Sequence, residues 1–471
     1  MSSLVPNELW LEVFENLPRD SLRQLSLTHT KFKGLSRTLL FAHLDFKPYA
    51  YTREGLMLPH QAGIDSRMQR LDFWASDEIA PLVRTCRLSP AYSAPMGSDY
   101  AVAESPYVLL EALFERFARF TRLERFSAAS IRLTHMSVVG LCRVSPPSVL
   151  IFGGFLDYEE GIEQLPSLTQ ALNVSKFNFV RVRGACNLHR WIVLLNPNHL
   201  GALSLSYRRP FSDDIVHRLP LFPHLRKLAL EVNPWDLHRI IPFLLKFPAT
   251  QVFSIHVVGY SPADKETPLP AEGAGLFPIL KEYIGPYQTL PIFLSRQSLL
   301  RIEVTRKPTS GHFVAQLREQ LQTPSNANVT SLDVDFEDLT HHDLGVICAF
   351  FPQLAELKIE VSTPFVEATS FFRLFAENPI LPPGMEHFAI SWRFSHAAGD
   401  PYYSPDNQGA EMPDLPMLRD ALVDRCPGIR TIWILRDNIL LKWRSSSGEE
   451  GITTNIAHED TTVESSEPSG G

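Results

Sequence analysis

The sequence predicts an α/β protein in which three short N-terminal helices precede an irregular right-handed α/β solenoid. Three observations predict it. Large apolar side chains recur at helical spacing over residues 4–32, and an L-x-x-L-x-L spelling returns downstream about every 25 residues. Helix-like spans that end at proline separate the copies.

The first helix is expected to begin at Pro6, whose missing N–H costs nothing in a first turn, with Glu8 placed favourably for the helix dipole. Leu9, Val13, Phe14 and Leu17 then share a stripe that Trp10 and Leu11 widen, and Pro18 stops it. Asp20 is the expected N-cap of a second helix carrying Leu22, Leu25 and Leu27. A third starts near Thr30 and places Phe32, Leu35 and Leu39 at i, i+3 and i+7. Units this small are marginal alone, so the apolar surplus must dock, either on the rest of this chain or on another.

Behind these helices the repeat reads Leu225/Leu228/Leu230 in its clearest copy. Others are Leu200/Leu203/Leu205, Leu299/Ile302/Val304, Val329/Leu332/Val334, Leu354/Leu357/Ile359, Met385/Phe388/Ile390 and Ile429/Ile432/Ile434. Weaker copies are Val83/Cys86/Leu88, Leu123/Phe126/Ala128 and Val174/Phe177/Phe179, with partial ones at Phe152 and Phe253. The middle residues 126, 152, 177, 203, 228 and 253 are 26, 25, 26, 25 and 25 apart, and 302, 332, 357, 388 and 432 follow at 49, 30, 25, 31 and 44. The period of about 25 lies within that of leucine-rich repeats. Helices are expected at 236–247, 343–351 and 415–426, each just before a proline that turns the chain into an extended strand.

Residues Leu4, Pro6, Leu9, Val13, Phe14, Leu17, Leu22, Leu25 and Leu27 together resemble an F-box, the module that docks on the Skp adaptor of cullin ubiquitin ligases. The resemblance implies that these residues, with Phe32 in place of a more usual tryptophan, contact the adaptor. The stretches RLDFWASDEIAPLVRTCRLSP (70–90) and KEYIGPYQTLPIFL (281–294), with Trp443, resemble landmarks of fungal F-box proteins with leucine-rich-repeat-like bodies. On that reading Phe73 and Trp74 seat the solenoid against the F-box; the plainer reading makes them core aromatics. The expected organisation is an F-box at 1–47, a helical or loop junction at 48–80, and a solenoid at 81–443. Pro-, Gly- and Asp-rich insertions fall near 259–275 and 395–411, and a disordered acidic tail covers 444–471.

Composition narrows the function. The formal net charge is -8, with 20% charged residues and no basic footprint of a nucleic-acid binder. Five scattered cysteines (Cys86, Cys142, Cys186, Cys348, Cys426) without a CxxC fit a reducing, intracellular setting in cytoplasm or nucleus. No membrane span, cofactor motif or catalytic constellation is legible, so no enzymatic activity is expected. In the cluster His341-His342-Asp343, adjacent histidines on a helix point about 100° apart and do not readily share one metal.

In an L-x-x-L-x-L strand the intervening residues face outward. They are Lys227 and Glu231 on one rung, then Arg301 and Glu303, Asp333 and Asp335, and Glu356, Lys358 and Glu360. The acidic excess over 331–360 favours a basic partner segment; the alternative is a solvated face that binds nothing. Two functions follow. One is the substrate receptor of a Skp–cullin–F-box ligase, which binds a protein target. The other is a repeat scaffold whose N-terminal helices only cap the solenoid.

Overall fold

Two prolines and a histidine set the starts of three helices: α1 (Asn7–Glu15) after Pro6, α2 (Arg19–Thr28) after Pro18, and α3 (Thr30–Leu40) after His29. The computed structural model describes residues 6–52, 55–91, 100–102, 105–153, 155–156, 171–180, 188–206, 213–233, 240–257, 275–320, 328–362, 365–392, 414–436, 439–445 and 450–454. Pro18, with extended ψ, takes the cap position of α2, which moves Asp20 from cap to first turn. His29 caps α3 by accepting from the Lys31 N–H.

The chain divides into two units, residues 1–249 and 250–471. In the first, parallel strands His43–Phe46, Thr85–Leu88, Arg125–Ala129, Ser148–Phe152, Lys176–Val180, Ala202–Ser206 and Lys227–Val232 pair in chain order. Register aligns Leu44, Cys86, Phe126, Val149, Phe177, Leu203 and Leu228 in one buried column. In the second unit Val252–Val257, Glu282–Gly285, Arg301–Val304, Ser331–Phe336, Glu356–Val361, His387–Trp392 and Thr431–Arg436 do the same. Their column is Phe253, Tyr283, Ile302, Leu332, Leu357, Phe388 and Ile432. Helices such as Ser310–Gln320, His341–Phe350, Phe365–Glu377 and Leu415–Arg425 separate successive strands. Each fully buried Leu or Phe contributes about 1.5–3 kcal/mol over exposure, so the columns are a substantial part of the apolar core.

At the entry to nearly every strand one carbonyl accepts two consecutive N–H groups from the next rung. Ala42 takes Arg84 and Thr85, Ser175 takes Gly201 and Ala202, Leu300 takes Thr330 and Ser331, and Ala355 takes Glu386 and His387. The clamp belongs to the backbone and asks for no particular side chain.

The structure corrects several expectations. Phe152 is exposed and Val149 holds its place in the column, because alternation along Ser148–Phe152 buries Val149 and Ile151. The interval between 253 and 302 contains an extra rung, Glu282–Gly285. Tyr283 fills the column there, and its hydroxyl donates to the Pro286 carbonyl at 2.7 Å and meets the Thr289 hydroxyl. Gly285 permits this, since a methyl group at its Cα would lie 2.5 Å from both the Tyr283 hydroxyl and Ile255 Cγ2.

The first parallel strand, His43–Phe46, lies inside the stretch assigned to the F-box. The junction also holds more than helix and loop: Ala50–Thr52, Gly55–Pro59 and Tyr100–Val102 form an antiparallel sheet beside the helix Gln61–Trp74. The tail from 444 is not wholly disordered. Ile439–Arg444 returns antiparallel on Thr431–Arg436 and pairs in turn with Glu450–Thr454, whose β-branched residues favour extended backbone. Of the helix expected at 236–247, only residues 240–247 are described, and they hold the helix Ile241–Leu244. Residues 455–471, Leu4, and nearly all of the segments 259–275 and 395–411 lie outside the described residues.

Candidate functional site

Three aromatic rings fill the centre of the helical module. Trp10, Phe14 and Phe32 meet pairwise with centroids 5.0–5.9 Å apart, the geometry that aromatic quadrupoles favour. Phe14 and Leu22 are 2% and 6% exposed, so these two members of the expected contact set pack the module's own interior. Leu17, Leu25 and Phe32 are half-buried, and Pro6 is exposed. Leu9, Val13 and Leu27 remain 51%, 52% and 82% exposed. Leu9 and Val13 lie four residues apart and stack along one side of α1.

The end of α3 is fastened to the body behind it. Arg37 pairs with Glu78 at 2.9 Å, and Phe41 meets Phe73 and Trp74 at 5.7 and 5.5 Å. Trp74 is buried, as a core aromatic should be, whereas Phe73 is 51% exposed. Between α2, α3 and this junction lies a pocket lined by Arg19, Arg23, Ser26, Lys33, Arg37, Leu40, Phe41, Phe73 and Ile79. Sequence reasoning missed it. The only signal was the four-residue spacing of Arg19 and Arg23, repeated by Lys33 and Arg37.

The outward positions of the strands divide between the two units. Lys227 and Glu231 belong to the first, where Glu231 accepts a hydrogen bond from the Ser206 hydroxyl. The other candidates share one sheet face in the second. Register sets Glu303 beside Asp333 beside Lys358, and Asp335 beside Glu360. Lys358 bonds Asp333 at 2.8 Å, Lys307 approaches Glu360 at 3.9 Å, Arg301 approaches Glu282 at 3.6 Å, and the Ser331 hydroxyl donates to Glu356 at 2.8 Å. Burial, then the charge of Glu360, raises the pKa of Asp335, while the hydrogen bond to Asp333 raises that of Lys358. Two rungs further on, in the strand Thr431–Arg436, Trp433 stands exposed with the Lys442 ammonium 5.6 Å from its ring centroid.

The contacts around the histidine pair are structural, and of the two rings His341 makes one of them. Thr340 caps the helix by accepting from the Asp343 N–H at 3.0 Å, and His341 Nε2 lies 2.9 Å from the Asn378 carbonyl oxygen. Asp343 accepts from the Ser310 hydroxyl at 2.6 Å. Among the described residues no three His, Cys, Asp or Glu side chains group as a metal site, and no helix is long and apolar enough to cross a membrane. Burial raises the thiol pKa of Cys142 to about 11 and of Cys348 to about 12, as expected of packing cysteines.

Residues 2–44 match the family model described as the F-box domain. No curated protein matches the chain. Among solved structures, an internalin from Listeria monocytogenes aligns over 66% of this chain and 81% of its own, at 12% identity and a TM-score of 0.33. A likeness that loose carries no argument, and the solenoid rests on the strand pairing described above. The chain therefore carries an F-box domain at residues 2–44, followed by the parallel strands of a leucine-rich-repeat-like body.

Proposed function

We propose that this protein is the substrate-recognition subunit of a Skp–cullin–F-box ubiquitin ligase, docking on the Skp adaptor through its helical module and holding a protein target on its solenoid. The observation that carries the reading is the exposure of Leu9, Val13 and Leu27 on a matched F-box whose aromatic centre is filled without them. Exposed aliphatic groups on a small module gain by burial against a partner, at about 25 cal/mol per Å². The protein's part is then proximity: it raises the effective concentration of target lysines near the charged conjugating enzyme. The test is a pulldown with the Skp adaptor. Leu9→Asp plus Val13→Asp should lower recovery about tenfold or more, because a carboxylate buried in an apolar contact is left unpaired. Equal recovery by variant and wild type would refute the docking.

For the target, the face carrying Glu303, Asp333, Asp335, Glu356 and Glu360 supports a basic segment, drawn in by long-range attraction. Reversal of Asp333 and Asp335 to lysine should weaken target capture; unchanged capture would leave that face as a solvated surface.

The capping reading is favoured by the Arg37–Glu78 pair and by Phe41 against Trp74, which bind α3 to the body. It gives no role to Leu9, Val13 and Leu27. Removing residues 1–40 spares the strand His43–Phe46 and separates the two readings. A cap predicts an insoluble remainder, and a docking module predicts a folded one.

A further inference from the structure

The cationic pocket beside the F-box helices has no part in adaptor docking as proposed, since Leu9, Val13 and Leu27 do not line it. Its volume is about 440 Å³. Arg19 and Arg23 stand one turn apart on α2, and Lys33 and Arg37 one turn apart on α3. Among the described residues no carboxylate lines the pocket. Two approach it as ion-pair partners: Asp20 reaches Arg23 at 2.9 Å, and Glu78 reaches Arg37 at 2.9 Å. Arg19 donates to the Leu40 carbonyl at 3.3 Å, and Lys33 has no carboxylate partner among the described residues. Four cations thus face one cavity in a chain whose net charge is -8.

The rest of the lining has a different chemistry. Leu40, Phe41, Phe73 and Ile79 are apolar, and the Phe73 ring stays half exposed although its neighbour Trp74 is buried. A small, wholly polar anion would satisfy the cations and leave that ring in water. An uncharged apolar ligand would cover the ring and desolvate Arg19 and Lys33, neither of which has a carboxylate partner among the described residues. A ligand that uses both carries carboxylates around an apolar side chain. Guanidinium groups suit carboxylates, because their planar forks bind them bidentately.

We propose that this pocket binds an acidic peptide segment of a partner protein. One aromatic or branched aliphatic side chain of the segment rests on Phe41 and Phe73, and its flanking carboxylates pair with Arg19, Arg23, Lys33 and Arg37. The match of charge to charge and of ring to ring selects this occupant.

The test uses the full chain and a fluorescein-labelled glutamate-rich peptide with one central phenylalanine, followed by anisotropy. Saturable binding is expected, falling about tenfold with Arg23→Gln plus Lys33→Gln and several-fold with Phe73→Ser. Both substituted cations are exposed, so folding is expected to survive, and a far-ultraviolet spectrum confirms it. Replacing the peptide phenylalanine by glycine should weaken binding as Phe73→Ser does, and raising salt from about 50 to about 500 mM should weaken it further. Affinity unmoved by the paired charge removal, or by salt, overturns the site. Inorganic phosphate that displaces the peptide at millimolar concentration, with no effect of Phe73→Ser, overturns the peptide in favour of a simple anion. Leu9→Asp plus Val13→Asp should leave peptide binding intact, so loss of adaptor capture and loss of this site are separately visible.

Discussion

Leucine has opposite fates in the helical module and in the strands behind it. Leu27 on α2 is 82% exposed, whereas Leu332 and Leu357 are buried in a column in which every neighbour is apolar. The difference teaches that burial in this chain follows geometry more than residue type. A parallel strand between two others has one face committed to the core, and the register repeats that face on every rung. A three-helix module of about forty residues encloses only what lies among its helices, here Trp10, Phe14, Phe32 and Leu22, and leaves the remainder for a partner.

The comparison breaks first where burial is deepest. Phe388→Ala should destabilise the second unit by about 3–5 kcal/mol in denaturant unfolding, because the ring stacks on Phe375 at 5.6 Å and the column has no room to collapse. A cost below about 1 kcal/mol would mean that the columns are loose and the contrast with the helical module is false.

A charge on the outward side of a strand gives a smaller, pH-dependent effect. The pKa of Asp335 is raised in the folded chain by burial first and Glu360 second, so its ionised form opposes folding. Below the ordinary aspartate pKa both folded and unfolded chains are protonated and nothing is lost; the cost accrues as pH rises through the raised value. Asp335→Asn should therefore raise the melting temperature at pH 7, with the gain shrinking as pH falls toward 4. A gain independent of pH would assign the effect to packing instead.

At the foot of the scale, Leu27→Ser should change stability by less than about 0.5 kcal/mol, as surface substitutions do. A larger loss in thermal unfolding would show that Leu27 is covered in solution, and the contrast would narrow accordingly.

Much of this was legible beforehand. The L-x-x-L-x-L triplets name side chains that are buried almost without exception, since three apolar residues at fixed phase leave one orientation for the strand. The phase at 148–152 was misread because Phe152 looks like an anchor, and only pairing with Phe126 and Phe177 shows that Val149 is one. The rung at 282–285 was hidden because Tyr-Ile-Gly does not spell leucine, and its hydroxyl is satisfied by residues that follow in the next turn. The F-box was read from its apolar residues, but which of them turn inward depends on how α1, α2 and α3 cross. The cationic pocket was invisible for the same reason: two basic pairs on separate helices converge only after α2 and α3 pack together.

Because a single peptide oxygen gathers two amides at nearly every rung entry, length errors do not accumulate along successive strands. Each turn resets the alignment, so Tyr283 and Ile302, 19 residues apart, and Phe388 and Ile432, 44 apart, land equally in step. The architecture thereby separates two kinds of change: inserted or deleted residues alter the rim, and substitutions in the columns alter the stability.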